Sequence, residues 1–236
     1  MKLLICLITF GRLKYTKKTL KSLLDTINVP YYLVICDNDS TDGTRKWLEK
    51  NGPQDLLILN PYNFYPGKAC NIGWERGLRQ FPDATHLMRC DNDMEFSKDW
   101  ATKAEKYFEA VAPLGQLGLD HTALDTYNDD PRYLTTMNGK TVNAWPGNIG
   151  GPCIIRREVY DRGARYDETP WQDLRENENS MITPQEDVKF SLSMHNYRYI
   201  YGHPTKKLAW TFANESNRSD FPEYYKKTMK KRGYKI

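Results

Sequence analysis

The chain has 236 residues, enough to bury a sizeable core, and that length suits one large α/β domain better than two independent ones. Hydrophobic residues at 39% and charged residues at 27% exclude a disordered protein, while the 13% of aromatics fits either a ligand-stacking site or a Tyr-rich surface. From Ala213 onward five Lys and two Arg face two Glu and one Asp, so this stretch accounts for the whole net charge of +4 and is either a solvated terminal helix or a contact for an anionic partner.

In chain order, the run from Leu3 to Ile8 is continuously apolar, as a central strand requires, and too short to span a membrane. Leu20, Leu23, Leu24 and Ile27 then recur at helical spacing. Tyr32 to Cys36 reads as a second strand, stopping at Asp37-Asn38-Asp39-Ser40-Thr41-Asp42-Gly43, and Leu56 to Leu59 reads as a third. Cys70, Gly73, Trp74, Gly77 and Leu78 form one face of a helix. His86 to Cys90 is a strand running into Asp91-Asn92-Asp93. Ser97 is placed to cap a helix with the buried stripe Trp100, Ala104, Tyr107, Phe108 and Val111. This βαβαβαβα order predicts a mostly parallel sheet flanked by helices.

The second half is less regular. Gly147 to Gly151 is a glycine-rich turn before Cys153-Ile154-Ile155. Asp167 to Ser180 is long and polar, a candidate lid. Thr183 as N-cap, Pro184 at the first helical position and Glu186 three residues after the cap mark a helix start, with Val188 and Leu192 as its expected buried face. Tyr197 to Tyr201 and Leu208 to Phe212 read as short strands. The five cysteines, Cys6, Cys36, Cys70, Cys90 and Cys153, contain no C-x-x-C pair, which argues against a disulfide framework or zinc ribbon and for a cytoplasmic setting, with contact at a membrane surface still open.

Open parallel sheets bind ligands at the carboxyl ends of their strands, where Asp37, Asp39, Asp91 and Asp93 fall. The first strand is followed by Thr9-Phe10-Gly11-Arg12, not by G-x-G-x-x-G or a Walker loop, which excludes dinucleotide oxidoreduction and P-loop hydrolysis. Two carboxylates one residue apart at a strand end can hold Mg²⁺ or Mn²⁺ directly or through water; the local alternative for Asp91-Asn92-Asp93 is an Asx turn.

Several of these segments agree in order with the family 2 glycosyltransferases of the GT-A fold. Leu7-Ile8-Thr9-Phe10-Gly11-Arg12 resembles the first strand and turn of that family, with Ile8 in place of its Pro and Gly11 in place of its Asn. Val34-Ile35-Cys36-Asp37-Asn38-Asp39-Ser40-Thr41-Asp42-Gly43-Thr44 is similar to its Val-Val-Asp-Asp-Gly-Ser-Thr-Asp-Gly-Thr. Gly67-Lys68-Ala69-Cys70-Asn71-Ile72-Gly73, Asp91-Asn92-Asp93 and Gln185-Glu186-Asp187-Val188 resemble three further motifs. The resemblance covers residues 3–212, strongest before residue 95. It implies a nucleotide-binding half over 1–95, an acceptor half over 96–212 and a basic tail over 213–236.

The resemblance also implies roles. Thr9, Phe10, Asp37 and Asp39 are expected at the nucleotide, with a helix-terminal anion as the local alternative for Asp37 and a cap at Asp39 or Asp42. Arg12 and Lys68 are expected near the nucleotide or its phosphates. Asp93 is the expected metal ligand, with Asp91 at the ribose and the metal's waters and as a second metal candidate, and Asn92 at the nucleotide sugar. His203 is the candidate for a late metal-ligating histidine; its alternative is a loop residue. Asp187 is the expected general base and Glu186 the alternative, competing with a capping-box role. Trp145, Gly150 and Gly151 are candidates for a platform beside the donor sugar, Trp145 equally for simple packing. The implied reaction is an inverting transfer from a nucleoside-diphosphate sugar, UDP-linked in the first instance, with Mn²⁺ or Mg²⁺. The acceptor, whether glycan, lipid-linked sugar, protein or modified nucleobase, is left open. Competing readings are a sugar-phosphate nucleotidyltransferase and a non-catalytic nucleotide-sugar-binding protein of the same fold.

Overall fold

A computed structural model describes residues 1–120, 129–145, 149–168, 186–211 and 217–223. The expected helix start at Thr183 and Pro184, most of the 167–180 loop, Gly147 and most of the basic tail lie outside the described residues.

Four strands, β1 (Leu3–Thr9), β2 (Tyr31–Asp37), β3 (Leu56–Leu59) and β4 (His86–Asp91), run parallel, joined by α1 (Leu13–Thr26), α2 (Thr44–Asn51) and α3 (Tyr65–Gln80). A short β5 (Met94–Phe96) follows, then α4 (Trp100–Ala110), β6 (Leu114–Gly118), the hairpin β7 (Leu134–Met137) and β8 (Lys140–Asn143), and β9 (Cys153–Arg156). The helices α5 (Arg157–Asp161) and α6 (Glu186–Ser193), strands β10 (Ile200–Pro204) and β11 (Ala209–Thr211), and α7 (Asn217–Asp220) complete the described chain. Nine strands form one sheet in the order β3-β2-β1-β4-β9-β6-β10-β8-β7, and β5 pairs with β11 in a second.

All seven residues of β1 are buried because the strand is covered on both faces. Leu3, Ile5 and Leu7 pack with Leu20 and Leu23 of α1 and Trp100 and Phe108 of α4. Leu4, Cys6 and Ile8 face Trp74 and Leu78 of α3 on the other side. The two sets alternate, as the period of a strand dictates. The glycine face of α3 lets that helix lie directly on β1 and β2: a Cβ at Gly73 would stand 2.3 Å from Cys6 Sγ and 2.9 Å from Cys36 Sγ. All five cysteines are buried free thiols.

The structure corrects several local expectations. Ser97 does not cap α4; its N–H extends the small sheet by donating to the Leu208 carbonyl, and α4 begins after Asp99 with no side-chain cap. Leu192 is exposed, not buried. Phe190 sets the phase of α6, stacking on Tyr166 at 4.1 Å and packing near Trp74, which turns Leu192 outward. The stretch from Met194 to Tyr197 is a 3₁₀ turn, and the strand starts only at Ile200. His203 therefore lies inside β10 and is buried.

Candidate active site

The register of the parallel strands sets Thr9 beside Asp37 and Ile8 beside Asp91, so both acids stand at one end of the sheet, two strands or about 10 Å apart. Asp37 is fully buried and accepts four hydrogen bonds. Thr9 Oγ1 donates at 2.8 Å, the Ser40 N–H at 3.0 Å, Arg45 Nε of α2 at 3.0 Å, and the Ser40 hydroxyl makes the fourth. Four acceptor positions are all a carboxylate offers, so Asp37 organises the β1 and β2 ends through its protein partners. Asp39 takes a left-handed φ of 61° with its side chain open to solvent, 3.8 Å from Arg45. Capping falls to Asp42, which accepts from the Leu13 N–H and from the Thr44 N–H and hydroxyl. Burial pushes its carboxyl up, but these bonds outweigh burial and hold it below the ordinary range.

After β1 the chain makes a turn that only a glycine tolerates easily: Gly11 and Arg12 both have left-handed φ, 61° and 59°. This swings Arg12 inward onto the turn after β4. Its Nη1 donates to Asp93 Oδ2 at 2.8 Å and its Nη2 to Asn92 Oδ1 at 2.5 Å. Asn92 Nδ2 donates to the Gly11 carbonyl and to Thr16 Oγ1, each at 2.9 Å. Arg12, Asn92 and Asp93 are all buried. Burial raises the Asp93 carboxyl above its ordinary range, opposed by Arg12 and reinforced by Asp91.

Asp91 has a different environment, with 32% of its side chain exposed. Behind it, Arg89 of β4 is 4% exposed and reaches Asp91 Oδ1 at 3.5 Å and Glu186 Oε1 of α6 at 3.6 Å, its guanidinium 5.0 Å from the Tyr166 ring centroid. Burial disfavours the charged guanidinium, but Asp91, Tyr166 and Glu186 outweigh it and keep Arg89 protonated. Glu186 is buried in this ion pair, whereas the neighbouring Asp187 is partly exposed and, among the described residues, accepts the Val188 N–H at 2.8 Å. The glycine turn lies between the two open acids: a Cβ at Gly151 would stand 2.8 Å from Asp91 Oδ2, and one at Gly150 would stand 3.4 Å from Asp187 Oδ2. Ser191 stitches this turn to α6, accepting the Ile149 N–H at 3.0 Å and donating to the Asp187 carbonyl at 2.9 Å.

The other expected site residues are dispersed. Phe10 is half-buried at the end of β1. Lys68, near the start of α3, lies 3.5 Å from Glu168 and 5.1 Å from the Phe64 ring centroid. Strands β9 and β6 stand between β4 and β10, so His203 is three strands, or about 14 Å, from β4; its ring packs on Gly118. The structure therefore does not bring His203 to the acidic turn. Trp145 lines a cavity of about 410 Å³ with Tyr133, His195 and Tyr201. Arg89, which the sequence reading passes over as a strand residue, is the missed element. A lone arginine inside the apolar run His86-Leu87-Met88-Arg89-Cys90 was the available signal, because a buried charge needs a partner.

Mn²⁺ and Mg²⁺ take oxygen ligands, keep several waters and use substrate phosphates as further ligands. Among the described residues no three His, Cys, Asp or Glu side chains converge as a metal centre. Asp91, open and at a strand end, fits a cation whose remaining ligands come from water and a diphosphate.

The large, mostly parallel sheet flanked by helices is that of the GT-A fold. Among solved structures, the chain is similar to the mannosyltransferase PcManGT from Pyrobaculum calidifontis in complex with GDP-Man and Mn²⁺, with a TM-score of 0.62 at 17% identity over 86% of this chain and 54% of that one. It is also similar to S. aureus TarS in complex with UDP-GlcNAc (TM-score 0.64, 16% identity, 91% of this chain and 59% of that one) and to GalNAc-T7 with UDP, GalNAc and Mn²⁺ (0.63, 14%, 87% and 42%). The chain thus spans less than two thirds of each of these proteins, and at such identities the likeness is one of fold. No curated protein matches. No helix among the described residues is long and apolar enough to cross a membrane. Residues 4–163, well over half of the sequence, match the profile of glycosyl transferase family 2. The chain belongs to that glycosyltransferase family.

Proposed function

We propose that this glycosyltransferase moves a sugar from a nucleoside-diphosphate donor, UDP-linked in the first instance, to an acceptor hydroxyl with inversion. The observation that carries the reading is the pair of open acids flanking one glycine turn, Asp91 against Gly151 and Asp187 against Gly150. One acid serves the leaving group and the other the nucleophile.

In the proposed step the acceptor oxygen bonds to the anomeric carbon while the bond from that carbon to the diphosphate oxygen breaks. The nucleoside diphosphate leaves with the bonding electrons. Asp187 takes the acceptor's proton; its partly exposed carboxylate meets no counter-ion among the described residues, whereas Glu186 faces Arg89. A divalent cation on Asp91 would supply charge neutralisation for the leaving diphosphate. Thr9, Asp37, Asp39, Arg45 and Phe10 shape the nucleotide end, and Lys68 at the head of α3 is within the same end of the sheet. The backbone of Gly150 and Gly151 admits the donor sugar between the two acids, since neither presents a side chain.

The test is a donor panel. Purified protein with Mn²⁺ is titrated with UDP-, GDP- and dTDP-sugars, scored by thermal shift and by slow release of the nucleoside diphosphate. Saturable binding of one donor class with slow hydrolysis is expected; neither across the panel refutes the reading.

A further inference from the structure

The cavity of about 410 Å³ takes its walls from residues 132–145, from the 3₁₀ turn after α6 and from the start of β10. Four rings line it, those of Tyr133, Trp145, His195 and Tyr201, and the last two have centroids 5.5 Å apart. Thr135 adds a hydroxyl to those of the two tyrosines. Arg132 is the one permanent charge among the lining residues, and Asp130 matches it. Arg132 Nε donates to Asp130 Oδ1 at 3.0 Å and to Oδ2 at 2.9 Å, and Nη2 donates to Oδ2 at 2.5 Å. The same guanidinium lies 5.7 Å from the Tyr133 ring centroid.

We propose that this cavity is a remote acceptor subsite, which holds a neutral sugar unit of an oligosaccharide while another unit of the same chain meets Asp187. The inference rests on the transferase reading above and adds an acceptor class to it. A pyranose has apolar C–H faces and a rim of hydroxyls, so it needs aromatic surface and polar groups side by side. The lining supplies both, in a volume within the range of small-molecule sites. A hydrocarbon ligand would leave those polar groups without partners. The Arg132 charge is already matched by Asp130, which favours a neutral ligand over a phosphate, sulfate or uronate.

The position of the cavity fits the same reading. Asp187 lies in the first turn of α6 and His195 in the 3₁₀ turn that follows the helix, so the two are roughly 12 Å apart along its axis. Trp145 precedes Gly150 by five residues, a chain reach of at most about 18 Å. Between these ends Ser191 ties the two walls together, accepting the Ile149 N–H and donating to the Asp187 carbonyl. Tyr201 belongs to the same core cluster as Phe190 and Met194, which sets the cavity on the face of the sheet that α6 covers. An extended glycan lying along α6 reaches both the base and the cavity, whereas a monosaccharide is too short to do so.

The experiment titrates the full chain, without donor or metal, with neutral chito-, manno-, galacto- and gluco-oligosaccharides, and with heparin fragments and inorganic phosphate as anionic arms. Binding is read by calorimetry. Wild type should bind at least one neutral series, and Tyr133→Ala and His195→Ala should each weaken it by about tenfold. Both side chains are exposed, so neither substitution opens the core. No binding of a neutral series, binding of the anionic arms alone, or equal binding by wild type and both variants overturns the proposal. Slow donor hydrolysis in the absence of acceptor should be the same in wild type and in both variants. With the oligosaccharide so found as acceptor, the variants should raise KM about tenfold and hold kcat within about twofold, as loss of uniform binding to a remote unit requires. An unchanged KM overturns the acceptor role. Because the saccharide titration needs neither donor nor metal, its failure is distinguishable from failure of the donor panel.

Discussion

Replacing Arg89 tests how the site is held together. Its guanidinium is 3.6 Å from Glu186, and at an effective dielectric near 20 two unit charges at that distance attract by roughly 4–5 kcal/mol before the cost of burying them is counted. That cost removes most of the gain, so the pair as a whole contributes little. Breaking it is different: Arg89→Met removes the guanidinium that faces buried Glu186 and should destabilise the fold by about 3–5 kcal/mol. In Arg89→Met with Glu186→Gln no charge is stranded at α6, and the expected loss is about 1–2 kcal/mol, mainly the packing against Tyr166. Glu186→Gln alone strands Arg89 only in part, because Asp91 is still 3.5 Å away. The cycle should give a coupling of about 2–3 kcal/mol, measured by urea unfolding followed through tryptophan fluorescence. A coupling below about 0.5 kcal/mol would refute the claim that Arg89 joins the acidic turn to α6.

Further expectations concern single positions. Gly151→Ala pushes a methyl to 2.8 Å from Asp91 Oδ2, so the carboxylate must move; Mn²⁺ and donor affinity should fall about tenfold or more while Gly150→Ala, at 3.4 Å from Asp187, has a smaller effect on the same titration. Gly73→Ala drives a methyl against Cys6 Sγ and should cost about 1–3 kcal/mol in urea unfolding. His86 has its pKa lowered to about 3, through burial and then Arg156. The unfolded chain therefore binds the proton first on acidification: the stability due to neutral His86 is fully present above about pH 6.5 and is lost as pH falls through about 3, with a slope of up to about 1.4 kcal/mol per pH unit. His86→Phe should flatten that part of the stability–pH curve, and an unchanged curve contradicts the assignment.

The parallel half of the fold was readable because its strands are covered on both faces. Leu3 to Ile8 and Tyr32 to Cys36 are apolar without interruption, and α3 carries its sheet contact as a glycine face, so continuous burial and close approach are both written locally. Strands β6 to β8 escaped the same reading. The sheet partners of β6 are distant in sequence and Leu114-Gly115-Gln116-Leu117-Gly118 lacks a pattern that separates a strand from a loop, while β7 and β8 pair locally as a hairpin but mix polar and apolar residues. Ser97 and Leu192 were misplaced for a related reason: each has a sound local role that a long-range contact overrides, the Leu208 carbonyl for Ser97 and the Tyr166 ring for the helix bearing Leu192. At the site, the acids could be found from their strand-end positions, but their arginine partners could not. Arg12, Arg45 and Arg89 reach Asp93, Asp37 and Glu186 across 81, 8 and 97 residues of chain, and only the folded sheet brings these pairs together.

The most direct test of the proposed chemistry compares wild type with Asp187→Asn on the donor identified by the panel. With Asp187 as base, the variant should bind that donor with unchanged affinity and release the nucleoside diphosphate about 10²–10⁴ times more slowly. Equal rates in the two proteins would contradict the account.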